Sequence, residues 1–182
     1  MTNPTSIATR AGTTDAAAGT ERIHTLVVLV EDRPGAIDRV VGVLRRRRAK
    51  TQSLTLSQSE TPNRVRIIAL VKDAEVVVEQ VVEQLRKIVD VRQVMNVTDQ
   101  QAVVRELALI TVDAKSASLH EIIEVGHQFG ASIADVTDDS VVLESTGSLE
   151  QLEKLIDALR VFTIREIARS GCVASVSINE NK

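Results

Sequence analysis

One succession of apolar periods occurs twice between Ile23 and Ile178, and this duplication constrains the fold more than anything else in the sequence. In the first half, HTLVVLV (24–30) reads as a strand. Ile37, Val40, Val41 and Leu44 then recur at the i, i+3, i+4, i+7 spacing of an amphipathic helix. SLTLS (53–57) alternates as a half-buried strand does, Thr61-Pro62-Asn63 marks a turn, and RVRIIALV (64–71) is the returning strand. Val78, Val81, Val82, Leu85 and Val89 stripe a second helix, and VRQVMNV (91–97) closes the unit. The second half repeats the order. ELALITV (106–112) is a strand, and Leu119, Ile122, Ile123 and Gly126 form a helical stripe. ASIADV (131–136) and SVVLES (140–145) are strands joined through Thr137-Asp138-Asp139. Leu149, Leu152, Leu155, Ile156 and Leu159 stripe the last helix, TIREIAR (163–169) ends the unit, and CVASVSI (172–178) is a candidate extra strand. Each half is βαββαβ, so the predicted class is α+β, with two tandem ferredoxin-like domains.

The pattern divides the chain into an N-terminal tail (1–22), a first domain (23–99) and a second (100–182), with the joint at Asp99 to Val104. Residues 1–20 are rich in Thr, Ala and Gly and hold no apolar block, which predicts disorder and excludes a secretory signal. Two helices cover one face of each predicted four-stranded sheet. The other face is left to be filled, and the β-branched residues on it predict sheet pairing between chains and at least a dimer.

Composition narrows the function. The only aromatics are Phe129 and Phe162, so the first half has no stacking platform for single-stranded RNA. A net charge of −3 supplies no basic field for nucleic acid. No apolar run approaches the ~20 residues of a membrane span. The single cysteine, Cys172, excludes an internal disulfide and fits a reducing, cytoplasmic setting. Gly-rich phosphate loops and CxxC pairs are absent. His120 and His127 in HEIIEVGH are seven apart, not the four of HExxH, and read as a solvated helix face. Asp138 and Asp139 fall where a turn favours Asp. The run Arg45–Arg48 with Lys50 reads as a solvated helix C-terminus, with an anion or protein site as the sharper alternative. What remains is a two-module ligand-binding or interaction protein.

HTLVVLVEDRPGAIDRVVGVL resembles the opening of an ACT domain, a small-molecule-sensing βαββαβ module. From Ile23 to Ser177 the chain resembles the small regulatory subunit of acetohydroxyacid synthase (acetolactate synthase). That likeness is carried by LVEDRPGAIDRVVGVLRRR, SLTLSQSETPNR, QLRKIVDVRQV, VRELALITV and IREIARSG. RELALI followed some sixty residues later by EIARSG is the more specific part. The resemblance implies a non-catalytic subunit of branched-chain amino-acid biosynthesis, a homodimer through its ACT domains. It implies activation of a larger thiamine-diphosphate enzyme and, as a rule, feedback inhibition by valine or another branched-chain amino acid. Thiamine diphosphate, magnesium and FAD would belong to that large subunit, and this chain would hold no cofactor. An activating but valine-insensitive subunit and a free-standing amino-acid sensor are the alternative readings.

The strand-to-helix turn at Pro34-Gly35 is the candidate effector loop. Gly35 has no Cβ, so a carboxylate can approach the amides of Gly35, Ala36 and Ile37. The second repeat has Asp113-Ala114-Lys115-Ser116 there, without PG. The resemblance places the effector between two ACT domains and adds Asp32, Lys50 and Thr51 to the candidate site. The family's pattern carries asparagine at Asp32 and Lys50, isoleucine at Thr51, glycine at Arg48 and an aromatic at Ala49. If Asp32 and Lys50 face each other across a dimer, they either grip a ligand's opposite charges or pair with each other. The length of Lys50 and the loss of apolar surface at Thr51 predict weak or absent valine sensitivity.

Overall fold

The computed structural model describes residues 20–99, 102–115 and 119–176. The first unit comprises β1 (Arg22–Glu31), α1 (Ala36–Arg46), β2 (Thr51–Gln58), β3 (Arg64–Asp73), α2 (Glu75–Arg86) and β4 (Val91–Asn96). The second comprises β5 (Ala102–Asp113), α3 (Leu119–Gln128), β6 (Ser132–Val136), β7 (Ser140–Gly147), α4 (Leu149–Leu159) and β8 (Ile164–Val176). Two antiparallel four-stranded sheets result, ordered β2-β3-β1-β4 and β6-β7-β5-β8, the same split-βαβ topology twice.

Alternation along the strands sends one set of side chains beneath the helices. In the first unit Leu26, Val28, Val30, Ile67, Ala69 and Val71 pack against Val40, Val43, Leu44, Val78, Val81 and Leu85 of α1 and α2. In the second, Ala108, Ile110, Val112, Val141 and Leu143 pack against Ile122, Leu152, Leu155, Ile156 and Leu159. A third cluster joins the units. Val27, Ile68 and Leu70, on the opposite face of the first sheet, meet Val97, Cys172 and Ala174. Within each chain, therefore, the second unit covers the face that the sequence left open for a partner. Burial pushes the Cys172 thiol up to about 11, with the Glu106 carboxylate adding to the effect, so this cysteine is a packing residue rather than a reactive one.

The structure redraws three boundaries. The stretches TIREIAR and CVASVSI meet in one bulged strand, β8, which runs from Ile164 to Val176, because Gly171 at φ 75 lets the chain change register without leaving the ladder; residues 177 and 178 lie outside the described residues. β5 starts at Ala102, so Val103 and Val104, expected in the joint, pair with Ser175 and Ala174. At the other end, Arg22 already opens β1 and Glu21 is ion-paired to Lys50, whereas the rest of the expected tail, residues 1–19, lies outside the described residues. No helix among the described residues is long and apolar enough to cross a membrane.

Candidate functional site

The chain leaves β1 at Glu31 and enters α1 at Ala36 through a tight turn. The Ala36 N–H donates to the Arg33 carbonyl at 3.0 Å, and Gly35 stands at φ 75, ψ 1. Those values are the second corner of a type II turn, the corner that requires glycine, with Pro34 pre-set at the first. The turn alone accounts for the Pro-Gly pair. It also leaves chemistry behind. Ser, Thr, Asp or Asn would normally cap such a helix start, but here no side chain does. The N–H groups of Gly35 and Ile37 have no acceptor among the described residues. They present positive backbone dipoles at an uncapped helix start. Ala36 does not belong with them, since its N–H is used in the turn and its side chain, 1% exposed, is core.

Asp32 is exposed, and its N–H donates to the Asn63 carbonyl at 2.9 Å, tying the loop to the β2–β3 hairpin. Arg39 was not read from the sequence as part of this region. Its guanidinium lies beside Gly35, where an added Cβ would meet Nη1 at 3.3 Å. The buried Asp90 carboxylate holds the other side of that guanidinium, accepting from Nε at 2.9 Å. Arg39 stands four residues beyond Gly35, so one helical turn brings it back over the loop. That spacing was the available signal.

Lys50 and Thr51 lie elsewhere. Both are exposed at the start of β2, and the Thr51 N–H donates to the Ala49 carbonyl at 2.8 Å. Thr51 pairs with Val71 whereas Glu31, next to Asp32, pairs with Arg64, so the two groups sit seven residues apart along β3. At ~3.3 Å per residue that is ~23 Å. One chain does not bring Asp32 and Lys50 together. The Lys50 ammonium is instead engaged by the Glu21 carboxylate, which raises its pKa.

The departures at Arg48 and Ala49 have a backbone meaning. Helix α1 ends with Arg48 donating to the Arg45 carbonyl at 3.0 Å and Ala49 to the Leu44 carbonyl at 3.1 Å, the paired bonds of a Schellman motif. The residue after the cap must then be left-handed, and Arg48 has φ 52. Glycine takes this conformation without cost, and this chain bears the strain of an arginine there.

The second unit's corresponding loop is built differently. The Asp113 carboxylate, at the end of β5, accepts from Arg165 Nη2 at 3.0 Å, and the same guanidinium lies 3.3 Å from Asp139 in the β6–β7 turn. Lys115 adds a contact to Asp139 at 3.0 Å. Lys115 and then Arg165 pull the Asp139 carboxyl down to about 2. Asp139 therefore does more than form a turn, because it ties that end of the unit together. Elsewhere, Arg45–Arg48 are exposed and form no ion pair among the described residues. His120 and His127 are both exposed on α3, and no group of three or more His, Cys, Asp or Glu among the described residues is placed to hold a metal.

Comparison with known proteins covers both units. The model for the AHAS small subunit-like ACT domain matches residues 26–93, and that for the small subunit of acetolactate synthase matches residues 105–176. The acetolactate synthase small subunit of Mycobacterium bovis is 39% identical over 153 residues, 84% of this chain and 91% of that protein. That of Bacillus subtilis is 39% identical over 155 residues, 85% of this chain and 89% of that protein. The crystal structure of the acetolactate synthase small subunit from Thermotoga maritima superimposes with a TM-score of 0.75 at 32% identity, covering 87% of this chain and 99% of that one. Matched in both units and along nearly the whole length of these relatives, the chain belongs to the family of acetolactate synthase small subunits.

Proposed function

We propose that this chain is the non-catalytic, regulatory subunit of an acetolactate synthase, acting in branched-chain amino-acid biosynthesis. It binds the catalytic large subunit and raises its rate, and the thiamine diphosphate, magnesium and FAD of the reaction reside in that partner. The observation that carries this reading is the match of both units, at 39% identity, to proteins named as small subunits. Mixing the chain with its cognate large subunit should increase acetolactate formation from pyruvate, while the chain alone forms none. Activity from the purified chain by itself, or no rate change on mixing, overturns the assignment.

Two copies pair, in this reading, through the first units. β2 is an edge strand, and antiparallel pairing of two β2 strands sets the start of one near the end of the other. The Lys50–Thr51 group of one copy then approaches the Asp32–Gly35 end of its partner, across the ~23 Å that separates them within a chain. An amino-acid carboxylate would meet the free N–H groups of Gly35 and Ile37, with Arg39 alongside. Because Lys50 is already paired with Glu21 and Thr51 offers little apolar surface, the valine response is weak or absent. Calorimetry with valine, leucine and isoleucine on the chain and on Asp32→Asn/Lys50→Asn tests this. Tight valine binding by the unmodified chain, lost in the double variant, overturns it.

A further inference from the structure

At the junction of the units β8 changes step. Ala108 pairs with Arg169 and Glu106 with Cys172, so Ser170 and Gly171 together oppose Leu107. Gly171 occupies the bulge at φ 75. Its N–H donates to Glu106 Oε1 at 3.1 Å, and Glu106 Oε2 accepts from Arg169 Nη2 at 2.6 Å. Arg169 Nη1 reaches Glu153 on α4 at 2.6 Å. The Glu106 side chain is 3% exposed, so this bracket fixes the bulge to β5 and α4 from within.

The other side of the bulge faces the first unit. Ser53 and Thr55 lie in the same rows as Leu70 and Ile68, on the sheet face that Cys172 and Ala174 cover. A Cβ added to Gly171 would stand 2.4 Å from Thr55 Oγ1 and 3.8 Å from Ser53 Oγ. Neither hydroxyl has a hydrogen-bond partner among the described residues, and both atoms are buried. Unpaired hydroxyls in a buried site cost stability, and here they are held against bare backbone. Any Cβ at this point would force Thr55 to move.

We propose that Gly171 is the joint of a steric transmission between the two units. Thr55 seats directly on the Gly171 backbone, so β2 cannot shift without moving β8, and the Glu106–Arg169–Glu153 bracket carries that movement into β5 and α4. β2 is the strand whose Lys50–Thr51 end enters the proposed effector cleft, and only the use made of the joint rests on that reading. The contact itself does not.

Amide hydrogen exchange on the full chain tests the joint without effector or catalytic subunit, so its failure is distinguishable from failure of the effector reading. In the unmodified chain, the ladder-bonded amides of Leu54–Leu56 in β2 and of Cys172–Ala174 in β8 should share one opening reaction and equal protection. Thr55→Ala removes the seated oxygen and should separate the two sets by about tenfold. Gly171→Ala should separate them too, through the clash. In Gly171→Ala/Thr55→Ala the new Cβ occupies the vacated space, and the two sets should return to within about twofold. The strain of alanine at a left-handed φ is the same in both Gly171 variants, so only the contact can produce the recovery. Unchanged protection in Thr55→Ala overturns the proposal, as does a double variant that stays separated. If Gly171→Ala alone fails to fold, Thr55→Ala decides.

Discussion

Val27 and Leu109 occupy matching places, each on the third strand of its sheet and each pointing away from the helices, yet Val27 is 1% exposed and Leu109 36%. The first sheet has its second face closed by residues from the other end of the chain, Cys172 and Ala174. The second sheet presents Ser132, Glu144, Leu109 and Ala168 in one row across its open face. Two copies of one topology are thus used differently. A sheet needs only one covered face to fold, and the second face is free to become either an internal joint or a surface.

The largest test of this contrast is a pair of core-truncating substitutions. Ile68→Ala, beneath the covering arm, should cost about 3 kcal/mol in urea unfolding, whereas Leu109→Ala should cost less than about 1 kcal/mol. Equal costs would mean that the second face is also covered in solution, by a second copy of the chain. A smaller effect sharpens the comparison at the helix ends. Helix α3 closes with the same motif as α1, through Ala131 to the Gly126 carbonyl at 2.9 Å, but with Gly130 at φ 76 where α1 has Arg48 at φ 52. No described residue lies within 4 Å of a Cβ placed on Gly130, so backbone strain alone decides the effect of a side chain there. Arg48→Gly should stabilise by about 1 kcal/mol and Gly130→Ala should destabilise by about the same, both read from thermal unfolding.

The smallest effect concerns acid. The Asp139 carboxyl is lowered from 3.8 to about 2 in the folded chain, and Asp113 is lowered as well, first by the Lys115 N–H and then by Arg165. A lowered carboxyl contributes stability that is present above its unfolded value and lost as pH falls toward its folded one. Far-ultraviolet circular dichroism should therefore show the second unit loosening between pH ~4 and ~2, and Arg165→Gln should shrink that step while the Lys115 contacts keep part of it. An unchanged step in Arg165→Gln would show that these ion pairs do not distinguish the two loops.

Much of this arrangement was legible in the sequence because it follows from side-chain period. Both βαββαβ units and both helix-facing cores were read from the spacing of Val, Leu and Ile. What was not legible lies where distant segments meet. RELALI and EIARSG are the most specific stretches of the resemblance, but period gives them no role. In the structure Glu106 of the first and Arg169 of the second form the 2.6 Å pair that closes the bracket at the junction. Arg39 escaped for a related reason, since its function depends on Asp90, 51 residues away in the chain. The turn at Pro34-Gly35 was located correctly, and absence of PG from the second copy argued for a ligand. A type II turn requires that glycine with or without one. Asp32 and Lys50 are grouped by resemblance alone, and strand register shows that one chain does not bring them together.

The covering arm also sets an order of events during synthesis. β1 to β4 emerge from the ribosome complete with their helices, and the first unit can then fold on contacts within itself. Its second face, with Val27, Ile68 and Leu70, must then wait in water until Cys172 and Ala174 have been made and β8 has paired with β5. For that interval the nascent chain carries an uncovered apolar sheet beside the open edge of β2. Those are the two features that invite association with a neighbouring nascent chain or capture by a chaperone.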